Sequence, residues 1–322
     1  MKIQGVTLSG GIKLNTSAAP APGPTPGPTL SNGYASGSAP PNITITYIQK
    51  FPFASDDNST IIGDLVYSID QAVGNSSATS GYTAGGDPSP TSPGSRMGTI
   101  QKFPFATDSD ATNVGNLTTA TSGSAGISSE NDGYLGGGQT PQARISQIQK
   151  YSFANESSTS TLPANLLTGS TADAVGNSSS EDGYVSGGYS VSASPLDNIT
   201  KFSFASFAGI TSVGDLTQAR TSGGSQNSST HGYVTGGWLW PGSSVVIDKF
   251  SFSSNGNATD VGDLAIGTNG MCGQSSIDNG YSSGGYNAAA KAIQKFPFAT
   301  DSNASNLAAL TENASSAAGQ QG

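Results

Sequence analysis

Apolar and polar positions in this chain alternate in short bursts that recur about every fifty residues. The unit at 222–264 shows the pattern. A small-residue stretch at Gly223, Gly224 and Ser225 is followed by a polar turn through Ser229, Thr230 and His231. Gly232-Tyr233-Val234-Thr235 comes next and stops at Gly236-Gly237. After a loop of variable length, Ile247, Lys249 and Ser251 alternate with Asp248, Phe250 and Phe252. A period of two, carried by aromatic and β-branched residues, marks a strand, because successive side chains point to opposite sheet faces. A turn of Ser, Asn and Gly then leads to a last short strand near Val261-Gly262-Asp263-Leu264. No helical stripe interrupts the unit, and Gly, Ser, Thr and Asn all disfavour a helix. Each unit therefore predicts four short strands, the content of one β-propeller blade.

Two anchors mark the units. Gly-Tyr strands begin at Gly33, Gly81, Gly133, Gly183, Gly232 and Gly280, and Ile-x-Lys-aromatic strands at Ile48, Ile100, Ile148, Ile199, Ile247 and Ile293. Six of each predict six blades. The stretch 317–322 matches a first strand whose Gly-Tyr partner is missing, and residues 32–37 supply that partner from the other end of the chain. The expected fold is all-β: a six-bladed propeller over 31–322, closed by pairing of the C-terminal strand with the N-terminal blade. An open solenoid is the alternative, and it would leave sheet edges exposed.

The double glycine after an aromatic strand, the aromatic pair that follows, and Arg220 before the next small-residue strand occur in an order that resembles a kelch-type propeller blade. The chain departs from that pattern in two ways. The fourth-strand Trp is replaced by Val-Gly-Asp-Leu segments at Val213 and Val261, and Arg220 is the only arginine at its repeat position. Repeats of this Ser/Thr/Gly-rich kind also look like those of bacteriophage virion proteins, a looser likeness. The resemblance implies architecture more than activity.

Charged residues make up 10% and hydrophobic residues 34%, a balance that would suit disorder if the aromatics were scattered. They are not: eleven of the twelve Phe, together with Tyr151, fall at repeat positions, as expected for packing between blades. The six repeat lysines are half of the twelve Lys and Arg, so the basic charge is structural in placement. A net charge of −9 excludes nucleic acid as the expected partner, since phosphate binding needs a cationic surface. Cys272 is the single cysteine, which forbids an internal disulfide and predicts a small buried hydrophobe. No apolar stretch approaches the ~20 residues that would predict membrane insertion, and the first residues lack the apolar core of a secretion signal.

Residues 1–14 read as a small hairpin, with Ile3, Val6 and Leu8 on one arm and Ile12 and Leu14 on the other. So short a hairpin is unstable alone, so these five residues are expected to anchor on other proteins of a virion. Residues 15–30 are a Pro/Gly-rich linker, expected to be extended.

In such a ring the loops gather at two ends. One end collects Asp56, Asp57, Asp108, Asp110, Glu130, Asp132, Glu156, Glu181, Asp182, Asp278 and Asp301, and is expected to be a solvated acidic rim; without a calcium-loop pattern, no metal is assigned. The other end carries the loops after each Gly-Gly, and variable loops on a rigid scaffold are where recognition concentrates. Trp238 and Trp240 lie there, with Tyr189 and Tyr286 at the position of Trp238. These four are the candidate ligand-binding residues, suited to stacking on sugar rings, unless they merely cap their own blades. His231 is the single histidine and sits in a turn. With no nucleophile motif, metal-ligand set or phosphate loop, no catalytic residue, cofactor or enzymatic activity is expected. The sequence thus suggests a non-enzymatic virion structural protein, assembled in a host cytoplasm. It would be a tail fibre or appendage tethered by its N-terminus and contacting a glycan or protein receptor on the host surface. A capsid decoration or head fibre protein, or a cellular kelch-like interaction module, are the alternatives.

Overall fold

The computed structural model describes residues 30–38, 45–88, 95–166, 169, 171–192, 194–207, 210–286 and 289–322. The expected anchoring hairpin and most of the linker lie outside these residues. Six four-stranded antiparallel sheets are arranged as blades around an axis, and no α-helix occurs among the described residues. In the fifth blade the strands run Gly224–Asn227, His231–Thr235, Val246–Ser251 and Thr259–Asp263, in that order from the axis outward. Three of the four expected strands match to within a residue or two, and the outermost begins two residues earlier.

The first blade closes the ring. Its Asn32–Ser38, Ile45–Pro52 and Thr60–Asp64 come from the start of the described chain, and its innermost strand, Ala318–Gln321, comes from the end. Gly33 to Ser36 pair antiparallel with Gln321 to Ala318. Every blade therefore has its four strands, the condition for a closed ring.

The innermost strands meet backbone to backbone. Gly74, Gly126, Gly176, Gly273 and Gly319 face the axis, where a Cβ at Gly126 would lie 2.7 Å from Gly74 O and one at Gly319 2.5 Å from Gly273 O. The sixth position is Ser225, whose hydroxyl donates to Gly176 O. Beyond this constriction runs a circuit of six hydrogen bonds. The N–H groups of Ser76, Ser128, Ser178, Asn227, Ser275 and Gln321 each donate to the side chain one blade on: Ser128, Ser178, Asn227, Ser275, Gln321 and Ser76. At the other end of these strands Gln71, Gly123, Asp173, Ser222, Gly270 and Ser316 all adopt left-handed backbone. Each donates its N–H to the carbonyl of the same residue in the preceding blade, which completes a second circuit around the axis.

Between blades the core is aromatic. Tyr34 stacks on Phe105 and tilts against Phe103; the arrangement recurs as Tyr82 with Tyr151 and Phe153, Tyr134 with Phe202 and Phe204, Tyr184 with Phe250 and Phe252, Tyr233 with Phe296 and Phe298, and Tyr281 with Phe51 and Phe53. Each blade's Gly-Tyr strand thus packs on the next blade's aromatic pair. Gly-Tyr glycines leave room for the inner ring of their own blade: a Cβ at Gly133 would lie 2.5 Å from the Tyr151 ring. Cys272 is buried and unpaired, as expected.

The acidic rim is solvated, as expected, with eight of its eleven acids exposed, and it is ordered by the lysines. Each repeat lysine takes one of its acids. Lys50, Lys102, Lys249 and Lys295 reach into the outer turn of the next blade, to Asp108 (2.7 Å), Glu156 (2.6 Å), Asp301 (2.9 Å) and Asp56 (3.1 Å). Lys150 and Lys201 instead pair within their own blades, with Asp132 (2.9 Å) and Asp182 (3.4 Å). The reason lies in the neighbouring turn. Where the other blades carry an acid, the fourth has Phe207 and the fifth Asn255, and these two lysines alone have an aspartate before their own Gly-Tyr. Phe207 stacks on Lys150 at 5.0 Å from the ring centroid. Glu130 and Glu181, on the same rim, remain exposed.

Candidate functional site at the glycine-loop end

The second strands run from the lysine rim to the Gly-Gly turns, so the loops after those turns share the opposite end of the ring. Left-handed backbone at both glycines, as at Gly236 and Gly237 in the fifth blade, turns the chain sharply towards the axis. Gly237 N–H then donates to Thr268 O of the next blade, and Gly188 does the same to Arg220 O, which fixes where each loop starts.

The four aromatics expected here stand at that end on three successive blades, in different circumstances. Trp240 is 84% exposed, at the tip of a two-stranded hairpin made by Trp238–Leu239 and Gly242–Ser243. Trp238 is half-buried and meets Trp240 edge-on at 6.5 Å. Its backbone is held by paired hydrogen bonds to Thr221. Tyr189 is half-buried beneath Arg144, whose guanidinium sits 5.0 Å from the ring centroid. Tyr286 hydrogen-bonds Ser316 at 2.9 Å, and its ring occupies the space that a side chain at Gly270 would need. No ring contact joins Tyr189, Trp238 and Tyr286 to one another among the described residues.

A second group lies nearer the axis, and none of it stood out in the sequence. Asp70, Asp87 and Asp173 are half-buried at the channel mouth and close enough to feel one another's charge. Arg96 Nη1 pairs with Asp87 Oδ1 at 2.9 Å, and Arg144 donates to Ser190 O at 2.9 Å. Burial pushes the Asp70 carboxyl up to about 7, against the pull of the Gln71 N–H at 2.7 Å; the charges of Asp87 and Asp173 add to the rise, and the Ser316 hydroxyl opposes it. Burial likewise lifts Asp173 to about 6; Arg144 and Arg96 restrain it and Asp87 adds to it. Asp87 is raised by burial and held back by Ser122 and Arg96. At neutral pH the Asp70 carboxyl therefore holds its proton part of the time and can donate as well as accept. A signal for this group does exist in the chain: Arg96 and Arg144 are cations off the repeat lysine position, and both fall in loops after Gly-Gly.

Below the mouth, the axial channel encloses about 360 Å³ and is lined by the inner-strand glycines and serines. His231 lies at the lysine end, at the position of Asp132 and Asn279, with Nδ1 2.8 Å from Thr230 Oγ1. Among the described residues no three His, Cys, Asp or Glu side chains converge as a metal site would require, and no helix is long and apolar enough to cross a membrane. No protein-family model matches the chain, and no curated protein resembles it significantly.

Proposed function

We propose that this protein is a non-enzymatic attachment protein: a rigid propeller head carried on its N-terminal segment, as a tail fibre or appendage of a virus particle, which meets the host surface with its glycine-loop end. The polarity of the ring is the observation that carries this reading. The chain enters the first blade at Leu30 and Ser31, where Ser31 N–H bonds Gly322 O at 2.7 Å, and Asn32 sits at the lysine end. A tether before residue 30 therefore leaves from the face opposite Trp238, Trp240 and the channel mouth. Variable, aromatic-bearing loops on a braced scaffold suit recognition, and the two inter-blade hydrogen-bond circuits and six aromatic stacks suit a particle component that must stay folded outside a cell. The particle context comes from the Ser/Thr/Gly-rich style of the repeats, a looser resemblance read from the sequence alone.

Immunogold labelling of particles from the native source tests the reading. Label at the distal end of a tail or fibre is the expected result, and removal of residues 1–14 should abolish incorporation while the ring still folds. Label spread evenly over a capsid would return the chain to a decoration role. Label on no particle would overturn the proposal in favour of a free interaction module.

A further inference from the structure

We infer that the channel mouth, framed by Asp70, Asp87, Asp173, Arg96 and Arg144, is a binding site for a neutral saccharide. The inference rests on the reading of the glycine-loop end as the face that meets a ligand, and it names the chemistry of that ligand. The propeller gathers these residues from three successive blades, and beyond the Arg96–Asp87 pair their polar valences do not close on one another. Among the described residues the Asp173 carboxylate makes no side-chain hydrogen bond or ion pair; it stands over Gly123, with Oδ1 2.6 Å from where a Cβ there would lie. Among the described residues, Arg96 Nε and Arg144 Nε are buried without an acceptor. Ser122 is 1% exposed, and its hydroxyl faces Asp87 without a well-aligned bond. Buried polar groups left open in this way are uncommon, and a ligand is one reason for them.

The mixture of valences selects among ligand classes. An anion would offer acceptors to the arginines but would meet three carboxyls. An ammonium would offer donors to the aspartates but would leave both arginine Nε atoms unsatisfied and face two guanidiniums. Hydroxyl groups donate and accept at once, so a vicinal diol satisfies an aspartate and an arginine together. A pyranose adds an apolar face, and Tyr189, whose ring lies under Arg144, puts an aromatic edge beside that guanidinium.

The experiment uses the full chain, with lactose, maltose, cellobiose and chitobiose as probes in ligand-observed NMR and calorimetry, and spermidine as the cationic control. At least one disaccharide should bind. Asp173→Asn and Arg144→Gln should each weaken it about tenfold, the cost of one hydrogen bond to a charged group, with the melting transition retained. Ile277→Ala should change the affinity by no more than about threefold, because that exposed side chain lies at the lysine end of the ring. No binding by any of the four sugars overturns the inference, as does binding lost in Trp240→Ala but kept in Asp173→Asn, or spermidine binding without sugar binding. Those results leave the attachment role standing, whereas sugar binding by a chain that labels no particle sinks the attachment role and keeps the site.

Discussion

At the scale of single residues, the departures from the repeat explain one another. Gln49, Gln101, Gln149 and Gln294 are buried on the third strands of four blades, and three of them pair like a peptide with a neighbouring segment: Gln149 accepts from Thr119 N–H at 2.8 Å and donates to Thr119 O at 3.0 Å. In the fifth blade this residue is Asp248, which can accept from Thr217 N–H but cannot donate. Arg220 supplies the missing donors. Its Nη2 meets Asp248 Oδ2 at 2.5 Å, and its Nη1 reaches Gly236 O and Val246 O, with both side chains fully buried. The lone arginine and the lone aspartate are thus one substitution made in two places. Removing one partner of such a pair typically costs about 3–5 kcal/mol, whereas replacing both can be nearly neutral. Asp248→Ala and Arg220→Thr should each destabilise on that scale in urea denaturation, and Arg220→Thr/Asp248→Gln, which copies the Thr121/Gln149 arrangement, should restore most of the loss. Additive losses in the double variant would refute the coupling.

At the scale of the strand, the innermost elements decide how closely the blades approach. A Cβ at Gly176 would collide with the Gly126 carbonyl, and backbone cannot yield there as a side-chain tip would. Gly176→Val should cost about 3 kcal/mol or more by overpacking, while Ser225→Gly removes the hydroxyl bond to Gly176 O and a long one accepted from Asn177 Nδ2, together worth about 1–2 kcal/mol. Equal midpoint shifts for the two variants would contradict the close approach. These elements also show what was legible in the sequence. The Gly-Tyr and Ile-x-Lys strands, their number and the exchange of 317–322 for a missing strand are local patterns, because period-two alternation and Gly-Gly stops act within a few residues. The lysine pairings were hidden because the partner sits on the next blade's turn, as Asp108 does for Lys50. Asp70 and Asp173 look like ordinary turn formers until ring closure sets them near each other's charge and, for Asp70, near Ser316. The exposed Trp240 was visible as composition, but the ties of Tyr189 to Arg144 and of Tyr286 to Ser316 were not.

At the scale of the whole molecule, the aromatic stacks and the lysine belt contribute unequally. Exposed ion pairs are worth about 0–1 kcal/mol each, while truncating a buried aromatic costs about 3–5 kcal/mol; the belt sets which blade face meets which, and the stacks hold them. The channel mouth gives the ring its pH response. Burial raises the folded-state carboxyls of Asp70 and Asp173 to about 7 and about 6, from an ordinary 3.8, so the folded ring holds these protons more tightly than the unfolded chain. Their contribution is complete below the ordinary value and is lost as pH rises through 6 and 7. The melting temperature should therefore fall between about pH 5 and about pH 8, with a shallower fall in Asp70→Asn. A wild-type curve that climbs across that window, or the same slope in both proteins, would contradict the assignment.

The closing strand has a consequence for how the protein is born. The Ser36 hydroxyl bonds Gln320, and the two are separated by 284 positions in the chain. At ribosomal speeds of about 5–20 residues per second, roughly 15–60 s pass between synthesis of the first blade and synthesis of its innermost strand. Through that interval the nascent chain carries an unpaired sheet edge at Gly33–Ser36, a template for pairing with any other extended polypeptide nearby. Only a chain synthesised through Ala318–Gln321 can seal itself, so a copy interrupted before that strand keeps the edge open.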